Sequence, residues 1–221
     1  MTPSIFIACP MHDGWMHHEC AGGVLTAMQS FDCTWSPLVG TGLARQRDLL
    51  LAKFLESDCT HILWVDSDIG WRAGDAQSLL DTGKDFVAGC YCRKRFGPDI
   101  PVNLTGTVEG DLYECTHVPT GFLLVTRAAV ERMVEHFRPT MTYRDDLLGR
   151  SEVVSLCTQV VGEGTEDLSF CRRWREVGGR IWLHGKIQVG HFDGNTCFMP
   201  NLGELPGRAS SARLLTPAAA E

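Results

Sequence analysis

The chain has 221 residues, enough to bury a full hydrophobic core, and a single domain is the simplest organisation at this length. Hydrophobic residues make up 44% of it and charged residues 21%, which is typical of a folded protein and excludes a disordered one. The net charge of -7 argues against a nucleic-acid binder that works by overall attraction, and no apolar segment is long enough to cross a bilayer.

The first half of the chain alternates between apolar strand patterns and amphipathic helix patterns. The clearest helix pattern has an apolar stripe that begins at Leu43 and continues through Leu50 and Phe54. The order β-α-β-α-β-α-β predicts an α/β fold with a mainly parallel, Rossmann-like sheet. The predicted strands are residues 4–9, 62–65 and 85–90, and the predicted helices are residues 19–29, 43–55 and 75–80.

The second half has a different character. Strand patterns at residues 102–108 and 112–117 flank a Glu-Gly-Asp turn, which predicts an antiparallel hairpin and a small second sheet. Residues 138–150 have the polar composition of a loop, and residues 203–221 that of a flexible tail after a domain at residues 1–202. The other predicted elements are strands at residues 121–125, 181–183 and 187–191 and helices at residues 127–136 and 165–177.

The N-terminus and the cysteines favour the cytoplasm. No basic region precedes the short apolar run at residues 4–9, so this run predicts a first strand and not a signal peptide. Most of the ten cysteines lie in apolar or strand-like stretches, where a reduced thiol behaves as a small hydrophobic group. Cys90 and Cys92 form a C-x-C motif without the second pair of a zinc site. We therefore expect free thiols in a reducing compartment.

Two carboxylates, Asp66 and Asp68, follow the apolar strand at residues 62–65. The carboxyl ends of the strands open into the ligand crevice of a doubly wound sheet, so both side chains are expected there. Since only Ser67 separates them, they can act together on one divalent cation, directly or through water. A turn in which an Asp caps the next helix would explain the same D-x-D motif without any ligand.

Two later features supply candidate partners for this pair. His191 ends the strand-like run at residues 187–191 and can provide a nitrogen ligand, although a lone histidine more often has a structural role. Glu166 and Asp167 begin the helix at residues 165–177, with Thr165 as the predicted N-cap. The helix dipole favours acids at this position whatever their function.

In this order the motifs resemble those of glycosyltransferases with the GT-A fold, in particular small viral and bacterial members. The D-x-D motif, the segment GTEDLSFCRRWREVGG and the late VGH are similar to the family's pattern, and LARQRDLLLAKFLESDCTHILWVDSDIGW resembles fungal mannosyltransferases. The resemblance covers residues 5–191. It implies a single GT-A domain that transfers a sugar, in the manner of hexosyltransferases, from a nucleotide-diphosphate donor to an acceptor hydroxyl.

The resemblance also assigns roles to individual residues. Residues 66–68 correspond to the D-x-D segment that holds a metal together with the ribose and diphosphate of the donor. His191 corresponds to the late histidine that completes the metal site. Asp167 corresponds to the general base of the inverting members, with Glu166 as the second candidate. The mannosyltransferase-like stretch, in contrast, belongs to retaining enzymes.

Further residues are expected to contact the donor. Arg45 matches an arginine near the start of a helix, where a cation opposes the dipole and needs a nearby anion, either the donor or Asp48. The basic residues 93–95 follow a strand at the same edge and would touch phosphate or acceptor, or form a solvated loop. The loop after the first strand resembles the one against which the nucleotide packs, and comprises Pro10, Met11, His12 and Asp13.

The chemistry of sugar transfer is consistent with these roles. The donor leaves as a diphosphate, whose developing charge a divalent cation can neutralise. The acceptor hydroxyl loses a proton as it attacks, which requires a carboxylate within hydrogen-bond reach. We expect Asp167 to stay ionised as a weak base, because the helix dipole lowers its pKa. Carboxylates with an imidazole suit Mn²⁺ somewhat better than Mg²⁺.

Other functions stay open from the sequence. A haloacid-dehalogenase-like phosphohydrolase would use Asp66 as nucleophile and Asp145–Asp146 as its later acidic pair, although its D-x-D motif normally follows the first strand. A sugar nucleotidyltransferase needs a Gly-rich phosphate loop, which ACPMHDGW does not offer. A non-catalytic sugar-nucleotide binding domain is the third alternative. The sequence leaves the donor sugar open, and the acceptor could be a glycan, a small metabolite or a modified nucleobase.

Overall fold

A computed structural model describes residues 2–40, 42–94, 100–145, 149–159, 162 and 164–200; the predicted tail at residues 203–221 lies outside them. The helices are α1 (His18–Ser30), α2 (Leu43–Glu56), α3 (Ala73–Asp81), α4 (Arg127–Phe137) and α5 (Glu166–Glu176). The strands are β1 (Ser4–Met11), β2 (Asp32–Val39), β3 (His61–Val65), β4 (Ile69–Gly70), β5 (Phe86–Cys90), β6 (Asn103–Glu109), β7 (Leu112–His117), β8 (Phe122–Thr126), β9 (Thr142–Asp145), β10 (Arg150–Val154), β11 (Ile181–Gln188), β12 (Gly190–Asp193) and β13 (Thr196–Phe198).

A central sheet of eight strands has the order β2-β1-β3-β8-β5-β11-β7-β6. Strands β2, β1, β3, β5 and β11 run in the same direction, and β8 lies antiparallel between β3 and β5. This arrangement confirms the predicted α/β fold with a mainly parallel sheet. Small antiparallel sheets are formed by β9 with β10 and by β4, β12 and β13. The predicted hairpin, β6 and β7, extends the edge of the central sheet instead.

The central sheet is buried on both faces, which gives three layers. Alternate side chains of β3 point to opposite faces, so that Ile62 and Trp64 pack with α2, α4 and α5. Leu63 and Val65 pack with α1 and α3 on the other face. A strand covered on both sides has no polar face, which explains why the strand patterns are continuous apolar runs.

Three strands of the structure, β2, β9 and β10, have no clear sequence pattern. Strand β2 lies at the edge of the central sheet, where its polar residues are exposed and Pro37 is tolerated. Strands β9 and β10 pair within and beyond residues 138–150, where a loop was predicted; that part of the prediction is wrong. Strand β1 continues through Pro10, because the pairing of β1 with β3 ends at Ala8 and leaves that side of the strand free.

The ten cysteines are free thiols, and all except Cys33 and Cys197 are buried. Within the described part of the chain, no helix has both the length and the apolar character that a membrane span requires.

Arg127, the first residue of α4, joins two elements of the fold. Its guanidinium donates to the carbonyl oxygens of Phe54 at 2.9 Å, in the last turn of α2, and of Ser57 at 2.6 Å and Cys59 at 2.8 Å, just after α2 ends. Because these acceptors would lose a charged donor, we expect Arg127→Ala to lower the free energy of unfolding by about 2–4 kcal/mol. Urea denaturation measures the change. Glu135→Ala, on the exposed face of the same helix, is the control and should change stability little.

Candidate active site

One cleft lies at the carboxyl ends of the parallel strands. Its lining includes Asp66 after β3, Tyr91 after β5 and Asp167 at the start of α5, and in open α/β sheets ligands bind beyond such strand ends. The cleft has a volume of about 310 Å³. Residues that are far apart in the sequence line it, among them Asp66, Tyr91, Arg93, His117, Asp167 and His191.

Asp66 follows β3 and is held from two sides. Its Oδ1 accepts a hydrogen bond from Nη2 of the buried Arg47 at 2.9 Å, and its backbone N–H donates to the Gly121 carbonyl at 3.0 Å. A Cβ on Gly121 would lie 2.9 Å from Asp66 Oδ2 and 2.5 Å from the Tyr91 hydroxyl. Only glycine therefore fits at this position, because protein groups approach it closely.

Asp68 lies beside His191 and Lys94. Its Oδ1 is 3.6 Å from His191 Nε2, and its Oδ2 is 2.5 Å from Lys94 Nζ. Burial alone would raise the pKa of Asp68, but the neighbouring His191 and the hydrogen bond from Lys94 outweigh it and lower the pKa to about 2. Asp68 is therefore ionised throughout the physiological range.

The imidazole of His191 is oriented by the backbone just after β5. Its Nδ1 lies 2.9 Å from the carbonyl oxygen of Cys92. A carbonyl oxygen only accepts, so Nδ1 donates to it, and Nε2 is the nitrogen that faces Asp68. Strand β12 brings His191 to this place by pairing with β4, the two residues directly after the D-x-D segment.

Asp167 lies in the first turn of α5 and lines the cleft, with its side chain 26% exposed. Its Oδ1 accepts a hydrogen bond from the Thr120 hydroxyl and is 4.0 Å from Arg47 Nη2. Burial raises the pKa of Asp167 to about 6, and the contacts with Arg47 and Thr120 offset only part of this rise. The expectation that the dipole keeps its pKa low is therefore wrong, and Asp167 is a stronger base than the sequence indicates.

The described residues offer few ligands for a divalent cation. Among them, no group of three or more His, Cys, Asp and Glu side chains is arranged to hold a metal ion. Asp68 and His191 together provide one oxygen and one nitrogen, whereas Asp66 is paired with Arg47. Mg²⁺ often takes only one or two carboxylates and completes its shell with phosphate oxygens and water. Asp68 and His191 therefore fit a cation that takes its remaining ligands from phosphate oxygens and water.

Lys94 occupies one oxygen of this pair, so a cation has to compete with it. We expect Lys94→Met to bind Mn²⁺ more tightly than the wild type in the absence of any nucleotide, by about 10-fold, because the competing ammonium is removed. Isothermal titration calorimetry measures the affinity. The control is Lys84→Met, whose lysine pairs with Glu109 at 2.6 Å. Equal Mn²⁺ affinities of both variants would contradict competition at Asp68.

The predicted nucleotide-binding residues 10–13 lie at the end of β1 and directly after it. Pro10 and Met11 end β1 and are buried, and His12 and Asp13 are exposed directly after them. Ser67 accepts a hydrogen bond at its carbonyl oxygen from the His17 N–H at 2.8 Å.

Arg45 is paired with Asp145 and not with Asp48, the protein anion that was expected. Its Nε and Nη2 donate to the two carboxylate oxygens of Asp145 at 2.7 and 2.8 Å. Asp48 instead accepts from the Cys157 N–H at 2.7 Å and the Ser155 hydroxyl at 3.0 Å. Asp146, Arg95 and their predicted roles lie outside the described residues.

Sequence reasoning missed Arg47 and Tyr91. Arg47 occurs on the apolar stripe of α2, four residues after Leu43 and three before Leu50, and an arginine on a buried stripe is the pattern that could have identified it. Tyr91 follows β5 without any such pattern, although its hydroxyl accepts the N–H of Gly121 at 2.9 Å.

No protein-family model and no curated protein matches this sequence. Among solved structures, the fold is similar to A197 from STIV, with a TM-score of 0.56 and 17% sequence identity over 90% of this chain and 94% of that one. UDP-glucose pyrophosphorylase complexed with UDP-glucose aligns over 92% of this chain and 94% of its own, at a TM-score of 0.48 and 9% identity. The first similarity supports the α/β fold, and the second is too distant to support a conclusion.

Proposed function

We propose that the protein is a metal-dependent glycosyltransferase that moves a sugar from a nucleotide-diphosphate donor to an acceptor hydroxyl with inversion. One observation carries this proposal. Asp66, Asp167 and His191 come from three distant parts of the chain and line one cleft at the strand ends. A D-x-D acid, a carboxylate of raised pKa and a histidine aimed at the second D-x-D acid are the groups that this reaction needs.

Asp167 is the general base in this proposal. It takes the proton of the acceptor hydroxyl while that oxygen forms a bond to the anomeric carbon of the donor sugar. The bond from that carbon to the phosphate oxygen breaks, and the diphosphate leaves with the electron pair. The Thr120 hydroxyl donates a hydrogen bond that fixes one oxygen of Asp167. Because the pKa of Asp167 is about 6, this carboxylate is ionised near neutral pH.

Asp68 and His191 are the residues that would hold Mn²⁺ or Mg²⁺, which when bound would neutralise charge on the leaving diphosphate. Arg93 and Lys94, at the same edge, add positive charge beside the phosphates. The nucleotide would pack against residues 10–13 after β1. The acceptor is a glycan or another hydroxyl compound, and the cytoplasm is the proposed compartment.

The phosphohydrolase alternative has less support. The D-x-D segment follows the third strand of the chain, and Oδ1 of Asp66, its would-be nucleophile, is hydrogen-bonded to Arg47. Its proposed later acid, Asp145, is held by both nitrogens of Arg45.

A thermal-shift screen of nucleotide sugars with and without Mn²⁺ tests the proposal. We expect at least one nucleotide sugar to raise the melting temperature only when Mn²⁺ is present, and to be hydrolysed or transferred. No shift with any nucleotide sugar, together with phosphatase activity that Asp66→Asn abolishes, would establish the phosphohydrolase. Donor binding without any turnover, unchanged in Asp167→Asn, would indicate a binding domain.

A further inference from the structure

Arg47 on α2 contacts both acidic parts of the proposed site. It is 1% exposed, and its Nη2 lies 2.9 Å from Asp66 Oδ1 and 4.0 Å from Asp167 Oδ1. Asp66 follows β3 and Asp167 begins α5, so a single nitrogen connects three separate elements. Burial alone would lower the pKa of Arg47, but the two carboxylates outweigh it and raise the pKa, which keeps the guanidinium charged.

The remaining surroundings of Arg47 do not explain its burial. Its guanidinium lies 5.3 Å from the centroid of the Trp64 ring, and among the described residues its Nε and Nη1 are buried without a hydrogen-bond partner. Buried donors without partners and a desolvated charge are costly. The attraction of the two acids, together with the Trp64 ring, offsets this cost in the described residues.

Arg173 on α5 provides the contrast within the same chain. It is also buried, at 4% exposure, but its two terminal nitrogens donate to the carbonyl oxygens of Leu156 at 2.6 Å and Thr158 at 2.9 Å. Arg173 thus ties backbone segments together, whereas Arg47 faces side chains of the proposed reaction.

We propose that Arg47 is a positioning residue, which holds the carboxylates of Asp66 and Asp167 on one shared cation and so fixes the base relative to the donor side of the cleft. Its kinetic consequence rests on the glycosyltransferase function proposed above. Its consequence for stability does not, because the attraction between these charges exists in the folded protein without any substrate.

A stability cycle tests the charge link directly. Arg47→Met should lower the melting temperature strongly, since two partly buried carboxylates lose their cation, and Asp167→Asn should then raise it by more than it does in the wild type. Arg173→Met should also lower it, but there Asp167→Asn should give only the gain that it gives in the wild type. If Arg47→Met does not fold, Arg47→Lys and Arg173→Lys replace the methionine variants in the same cycle. Additive effects of Arg47 and Asp167 would overturn the proposal.

Turnover provides the second readout, measured with the donor found in the nucleotide-sugar screen. Arg47→Lys should lower kcat by about 10-fold or more and retain more activity than Arg47→Met, because a lysine keeps the charge but reaches the two acids less well. Arg47→Lys combined with Asp167→Asn should be no slower than Asp167→Asn alone. Multiplicative losses would contradict the positioning role. If no nucleotide sugar is turned over, the glycosyltransferase proposal fails while the stability cycle still decides the role of Arg47.

Discussion

Asp167→Asn should lower kcat by about 10²–10⁴-fold, because an amide cannot take the proton of the acceptor hydroxyl. The donor should still bind, since the change leaves Asp68 and His191 intact, so the loss falls on kcat more than on the donor KM. Steady-state kinetics with the preferred donor measure both constants. Glu166→Gln is the matched control at the neighbouring position. A larger loss in Glu166→Gln would transfer the role of base to Glu166.

The same substitution should alter the pH dependence of turnover. The wild type needs ionised Asp167, so its kcat should fall as the pH drops below about 6. Any residual activity of Asp167→Asn should lack this acidic limb. An unchanged acidic limb in the variant would show that another group titrates.

Asp167→Asn should also be more stable than the wild type at pH 7. The folded pKa of Asp167 is raised from 3.8 to about 6, so the folded state holds this proton more tightly than the unfolded chain. Stability therefore falls as the pH rises from about 4 to about 6 and stays at the lower level above it. The raised pKa already includes the attraction to Arg47, and solvent at the 26% exposed side chain reduces the gain, which we expect to be about 1 kcal/mol. The difference in melting temperature should vanish near pH 4.

Asp68→Asn should abolish Mn²⁺-dependent donor binding and lower turnover by about 10²–10³-fold, because the amide is a poor cation ligand. His191→Ala should have a similar effect, and the double variant should be little worse than either single one, since both side chains serve one cation. Asp193→Asn, an exposed acid on the same strand as His191, is the control. Mn²⁺-dependent binding that survives both substitutions would show that the metal site is elsewhere.

Local patterns in the sequence were sufficient to predict most of the fold. Helix α2 begins at the predicted Leu43, and β3 and β8 lie within one residue of their predicted bounds, because burial on both faces gives continuous apolar runs. Strand β2 escaped prediction for the opposite reason. At a sheet edge, half of its surface is solvated, and the resulting mixture of polar residues with Pro37 has no clear period.

The pKa values and ion-pair partners of the candidate site residues were harder to predict than which residues line the cleft. A helix dipole can be inferred from the sequence, but the burial that raises the pKa of Asp167 depends on how α5 packs against β7 and α4. The partner of Arg45 is Asp145, a hundred residues later, and the sequence provides no rule that selects it over Asp48. Contacts between distant segments decide both cases.

The pairing of β4 with β12 has a consequence for when the proposed site is completed during synthesis of the chain. Residues 69 and 70 pair with residues 190 and 191, and the Phe192 N–H donates to the Asp68 carbonyl at 2.8 Å. A ribosome synthesises the D-x-D segment early, but its partner histidine emerges only when most of the chain is complete. Contacts of such long sequence separation form late because the intervening chain must be ordered first. A nascent or truncated chain that ends before β12 can therefore contain the whole parallel sheet and still lack His191 of the proposed cation site.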